Sequence, residues 1–193
     1  MKKDRLMTAL GALVMYVTLA ASAGAQVQTF EDYSPCINAS VGIYGGVNYL
    51  LQWTCYGDPQ PPYNPHSGTN RVYASAGGTN AASGAFTFAP TAFLGAWFSG
   101  SATVNFQLFF GGSLVATSSS LSTTATPSFL AAGYAGPVDR VSVVGNSVNY
   151  IMDDVTFGNA ATVTPEPSTL VLMGSGLLGI AGFVGRRRRT QDA

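Results

Sequence analysis

The sequence predicts an all-β domain over residues 26–160, an antiparallel β-sandwich of the jelly-roll kind, flanked by an N-terminal signal helix and a C-terminal transmembrane helix. Three observations carry this. Residues 103–110 alternate, with Val104, Phe106, Leu108 and Phe110 on one face and Asn105 and Gln107 on the other, the period of a half-buried strand. Glycine-containing turn signals at 77–78, 111–112 and 145–146 punctuate short runs rich in Val, Phe and Thr, a spacing that joins strands rather than helices. Within these limits no stretch repeats apolar residues at helical spacing with charges on the far face.

In chain order, a first strand is expected at 27–33. A looser stretch follows through Pro35, Cys36 and the Gly45-Gly46 pair, and 47–54 forms a second strand ending near Trp53 and Cys55. Residues 57–68 hold four prolines, and proline cannot donate to a strand ladder, so a central strand is excluded there. The segment is a surface loop long enough to carry function, with a pre-stiffened connector as the plainer reading. Strands are then expected at 70–76, 84–89, 91–99, 103–110 and 113–119. Residues 118–128, rich in Ser and Thr, read as an edge strand or a loop. Strands at 138–144 and 147–157 close the domain as a hairpin across Gly145-Asn146. Trp53, Trp97, Phe106 and Phe110 are assigned to the core.

Both ends read as addresses. Lys2, Lys3 and Arg5 precede an apolar run and the small residues Ala23-Gly24-Ala25, so residues 1–25 form a signal peptide for signal peptidase, with Gln26 first in the mature chain. Residues 161–193 open with Pro165-Glu166-Pro167, stiff because each proline fixes its own φ and restricts its predecessor. An uncharged run at 168–185 follows, which as a helix covers roughly 27 Å, near the thickness of a bilayer core. Arg186, Arg187, Arg188 and Arg189 then mark the cytoplasmic side. The plain reading is an ordinary membrane anchor. The order of tripeptide, Gly-rich span and arginines also resembles the PEP-CTERM sorting signal of Gram-negative bacteria, over about residues 164–189. That resemblance implies an exosortase as partner, a membrane-embedded processing enzyme of the cysteine transpeptidase type. It further implies cleavage near the tripeptide, inner-membrane anchoring before it, the cell surface or extracellular matrix after it, and a host that makes exopolysaccharide.

Between the two addresses stand Glu31, Asp32, Asp58, Asp139, Asp153 and Asp154 against Arg71 and Arg140. The domain is mildly acidic and offers no basic patch for nucleic acid. Cys36 and Cys55, the only cysteines, are expected to form a disulfide in an exported chain. Motifs of nucleophile-elbow, zinc-protease and Walker type are missing, and His66 is the only histidine.

Phe30-Glu31-Asp32, the run Phe93 to Phe98, Asp139-Arg140-Val141 and Asp153-Asp154-Val155 are similar to the sandwich found ahead of many PEP-CTERM tails, which looks like galactose-binding carbohydrate modules. First and last strands lie together in a jelly roll, so Glu31, Asp32, Asp153 and Asp154 are expected to meet around a structural calcium ion. Calcium suits such carboxylates, and the resemblance adds weight to the site. Strand parity aims Asp153 inward with Ile151, Val155 and Phe157. Tyr56, Tyr63, Asn64, His66 and Tyr73, in and around the proline-rich loop, are the residues expected to bind glycan. The expected function is that of an exported envelope or matrix protein, structural or carbohydrate-binding within exopolysaccharide and not an enzyme. The alternative is a secreted hydrolase acting on polysaccharide.

Overall fold

In the computed structural model, which describes residues 25–76 and 78–158, every regular element is a β-strand. The chain begins with β1 (Gln26–Gln28), β2 (Ile37–Ser40), β3 (Ile43–Tyr44), β4 (Val47–Asn48) and β5 (Trp53–Tyr56). It continues with β6 (Arg71–Ala76), β7 (Thr79–Asn80) and β8 (Ser83–Gly100), then β9 (Thr103–Phe110) and β10 (Ser113–Thr117). The last four are β11 (Leu121–Ser122), β12 (Ser128–Ala131), β13 (Val138–Gly145) and β14 (Tyr150–Gly158). The expected signal helix and transmembrane helix fall outside the described residues. No helix among those residues is long and apolar enough to cross a membrane.

The strands form two antiparallel sheets that share β8. Its first half pairs with β13, which continues to β9 and β10. Its second half pairs with β12 on one side and β14 on the other, and β14 leads to β6, β5 and β2. Ala89 and Pro90 are exposed where β8 passes from one sheet to the other, a position where proline's missing N–H costs nothing. The two expected strands at 84–89 and 91–99 are therefore one strand of 18 residues. Gly95, at φ 147°, lets β12 approach: a Cβ there would overlap the Leu130 carbonyl.

The two sheets enclose Trp53, Phe86, Phe93, Phe98, Phe106, Leu108 and Met152, all without solvent exposure. Phe93 and Phe106 meet edge to face at 4.9 Å, the arrangement their ring quadrupoles favour. Cys36 and Cys55 are joined, with Cα atoms 4.9 Å apart, fixing the approach to β2 against β5. The first and last strands pair, as a jelly roll requires: Gln26 lies opposite Phe157.

Several expectations need correction. The closing strands β13 and β14 do not form a hairpin; they lie in opposite sheets, and the turn at 145–149 crosses between them. The first strand stops at Gln28, because Phe30 adopts φ 62° and Tyr33 N–H turns back to its carbonyl. The expected strand 47–54 is broken by Leu50 and Leu51 at φ 57° and 55°. Of the aromatics assigned to the core, Trp53 and Phe106 are there, but Phe110 is 41% exposed. Trp97 is half-buried on the outer face of the sheet that holds β14.

Candidate functional site

The loop at 57–68 lies over the outer face of that sheet, and each of its turns is fastened. At its base the Arg71 guanidinium, 1% exposed, donates to the carbonyls of Tyr56, Asp58 and Thr69 and sits 5.0 Å from the Tyr56 ring. Arg71 Nε has no hydrogen-bond partner, and burial lowers the guanidinium's pKa. At mid-loop, Asn64 Nδ2 donates to the Ala125 carbonyl at 2.7 Å, and Ser99 Oγ donates to the Asn64 carbonyl at 2.6 Å. Beyond it, the backbone N–H groups of His66 and Ser67 donate to Asp153 Oδ2 at 2.8 and 3.0 Å. Ser67 Oγ donates to Asp154 Oδ1 at 2.7 Å, and His66 Nδ1 is hydrogen-bonded to Asp154 Oδ2 at 2.5 Å. The His66 ring stacks on the Trp97 indole, centroids 3.5 Å apart. Glu31 Oε1 accepts the N–H groups of Thr69 and Asn70 at 3.1 and 2.8 Å. Gly68, at φ 53°, admits that carboxylate, which a Cβ there would overlap.

A bulge in β14 makes the double anchor possible. Register against β8 shifts between Asp153 and Thr156, and Asp154 takes φ 45°. Val155 and Phe157 consequently join the core, while Asp153, fully buried, faces the loop and not the core. Simple strand parity failed at this bulge. Burial pushes the Asp153 carboxyl up to about 7, against the three backbone N–H groups of His66, Ser67 and Asp154 that favour its charged form.

Three of the four acids expected around calcium thus fasten the loop and its exit instead. Asp153 and Asp154 secure His66 and Ser67, Glu31 secures Thr69 and Asn70, and Asp32 is exposed. Among the described residues no three His, Cys, Asp or Glu side chains gather where they could hold a metal ion.

The aromatic set divides as well. Tyr56, Tyr63 and Tyr73 come together, lining an open cleft of about 350 Å³ between the loop and the sheet. Asn38, Gln60, Asn80 and Asn149 supply four carboxamides, with Ile151 in the lining, and no lining side chain is charged. Tyr73 hydroxyl donates to Asn38 Oδ1 at 3.3 Å and Tyr63 hydroxyl to Asn149 Oδ1 at 3.4 Å, orienting ring and amide together. Asn64 and His66, grouped with these tyrosines by sequence, fasten the loop instead. Sequence reasoning missed the four carboxamides, since nothing local distinguishes them from the chain's other Asn and Gln residues.

Residues 163–189 match the PEP-CTERM protein-sorting motif, and the match contains Pro165, Glu166, Pro167 and Arg186 to Arg189. The motif marks an exported protein with a C-terminal, membrane-anchored sorting signal processed by an exosortase. No curated protein matches the chain. Among solved structures, the sandwich is similar to variants of a family 29 carbohydrate-binding module. One is 13% identical with a TM-score of 0.42, and another 13% identical with a TM-score of 0.41; each comparison covers 75% of this chain and 99% of the other. No residue role passes from them to this chain.

Proposed function

We propose that this is a non-catalytic protein of the envelope or extracellular polysaccharide matrix, sorted by an exosortase-type system, whose sandwich holds an uncharged glycan in the tyrosine cleft. The observation that carries the reading is the convergence of Tyr56, Tyr63 and Tyr73 with Asn38, Gln60, Asn80 and Asn149 on one cleft free of charged side chains. Aromatic faces cover the apolar C–H surface of a sugar, and carboxamides both donate to and accept from its hydroxyls. The lining holds no cation to pair with a uronate or sulfate, which favours a neutral ligand. The cleft is preorganised, since its loop wall is fastened before any ligand arrives, and this lowers the ordering cost of binding.

The hydrolase alternative draws less support. His66 and Asp154 resemble two parts of a triad, but Ser67 donates to Asp154 and not to the imidazole, and Asp153 is fully buried beneath the loop. Affinity electrophoresis of the full chain in neutral-detergent gels tests the proposal. Soluble neutral polysaccharides in the gel should retard the protein, acidic ones should do so less, and Tyr63→Ala should weaken the retardation. Equal mobility in every gel would refute it, and release of reducing ends would restore the hydrolase.

A further inference from the structure

Among the described residues the only strong bases are Arg71 and Arg140, and their surroundings are opposite. Arg140 is exposed and lies over the Phe109 ring. Arg71 is 1% exposed, and among the described residues no carboxylate forms an ion pair with it. Burial disfavours its charged form, while Tyr56, Asp58 and Asp153 act the other way from a distance. Its Nε has no hydrogen-bond partner. A buried cation without a paired carboxylate, and with one donor left unmade, is a costly way to fill space between strands. Departures of that kind belong at functional sites.

The contacts of Arg71 all lead to the tyrosine cleft. Its partner across β5 and β6 is Tyr56, and the guanidinium lies 5.0 Å from the centre of that ring. Tyr56 lines the cleft and Arg71 does not, so the guanidinium takes the hidden side of the ring and leaves the rest to the cleft. A cation over a tyrosine ring is attracted by the ring quadrupole, which resists tilting of the ring. The same guanidinium donates to the carbonyls of Tyr56 and Asp58, where the loop at 57–68 leaves the sheet, and to that of Thr69, where it returns. Entry and exit of the loop thus converge on one planar group, whose fork of donors fits several carbonyls at fixed angles. That loop carries Gln60 and Tyr63, two further lining residues. One side chain outside the cleft therefore touches both the floor, at Tyr56, and the base of the wall that bears Tyr63. Lysine would keep the charge and lose the fork.

We propose that Arg71 is the positioning residue of the tyrosine cleft, setting the Tyr56 ring on the sheet and the Tyr63 wall beside it. This role rests on the glycan reading of the cleft, and the first measurement needs no glycan. Proton–carbon NMR spectra of labelled tyrosine rings are recorded on the full chain in neutral detergent and assigned by single phenylalanine variants. Arg71→Lys should move the Tyr56 and Tyr63 ring signals and leave that of Tyr134, which is outside the cleft lining, in place. Unmoved Tyr56 and Tyr63 signals overturn the proposal, and so does equal movement of every tyrosine, the mark of a generally loosened fold. The second measurement is retardation by dextran, pullulan and hydroxyethylcellulose in affinity gels. Arg71→Lys should weaken it about tenfold, and the double variant with Tyr56→Ala should lose less than the two single losses combined, because one contact is counted in both. Additive losses, or unchanged retardation beside a lowered melting temperature, reduce Arg71 to a structural residue and overturn the proposal. Ring signals that move as expected in a parent chain that none of the three polymers retards place the failure in the glycan reading and not in Arg71. Should Arg71→Lys not fold, Tyr56→Leu keeps the guanidinium and its carbonyls. The Tyr63 signal should then stay in place, and its movement would show that Tyr56, not Arg71, holds the wall.

Discussion

The two ends of β14 differ as sharply as any regions of this domain. At its start, Asn149 and Ile151 border a cleft walled by tyrosines and carboxamides. At its finish, about 23 Å along the strand at ordinary strand rise, Gly158 packs against Leu94 and borders a second cleft with Phe157 and Pro90. The cleft end is held by side-chain hydrogen bonds to a loop, each anchor point named by a donor and an acceptor. The exit end is shaped by the exposed bend of β8 at Ala89 and Pro90 and by Leu94 against Gly158. One strand thus separates a polar cleft suited to sugar hydroxyls from an end whose lining holds no tyrosine, and its bulge at Asp153 and Asp154 marks where the loop's fastening begins.

The largest expected effect breaks that fastening. Asp153 has its folded pKa raised to about 7 from an ordinary 3.8. Between those values the folded state holds a proton that the unfolded chain has lost. Stability is therefore greatest in acid, falls as pH rises through 7, and is level beyond, by on the order of 4 kcal/mol from this group alone. Thermal melts from pH 4 to 8 should show the midpoint falling across that window. Asp153→Asn should flatten the slope and cost about 1–2 kcal/mol, because its amide cannot accept from all three N–H groups. An unchanged slope in the variant would mean that another group controls it.

Removing the Cys36–Cys55 bond comes next. It closes a short loop at the edge of the cleft-bearing sheet, and its loss in a paired Ala variant should lower stability by about 3 kcal/mol. Because β2 carries Asn38, glycan retention should weaken alongside. Retention preserved at full strength would show that the cleft does not need that edge.

How far this contrast was legible beforehand depended on what each residue touches. The alternation in β9 was plain because one face meets the core and the other is more open. The length of β8 was hidden: it is buried over much of both halves and changes sheets near Pro90, so no single period runs through it. The bulge in β14 had no sequence mark, since an aspartate and not a glycine takes the left-handed position. Gly145-Asn146 looked like a two-residue hairpin because the turn chemistry is the same whether a chain returns beside itself or crosses to the facing sheet. The three tyrosines could be singled out as a loop-associated aromatic set. Trp97 could not be seen as an outer-face residue, because the loop that partly covers it comes from thirty residues earlier, with His66 on its face.

Within the cleft a smaller effect sharpens the comparison. Tyr63→Ala should reduce glycan affinity about tenfold, roughly 1.4 kcal/mol, while stability changes by less than about 0.5 kcal/mol, since Tyr63 is a partly exposed loop residue and not part of the core. Isothermal titration beside thermal melts separates the two quantities. A fall in both would place Tyr63 among the fastenings of the loop, with Asn64.

The smallest effect belongs to exposed apolar side chains away from the cleft. Ile43→Ser with Leu114→Ser removes two side chains exposed by 78% and 55%, so the melting midpoint in detergent-free buffer at fixed pH should stay within the scatter of surface substitutions, about 0.5 kcal/mol. Glycan retention should be unchanged, because neither residue lines the cleft. A variant that melted markedly earlier would show these side chains supporting the fold. If the variant matches the parent in both measurements, these side chains are dispensable for the folded domain and for the cleft.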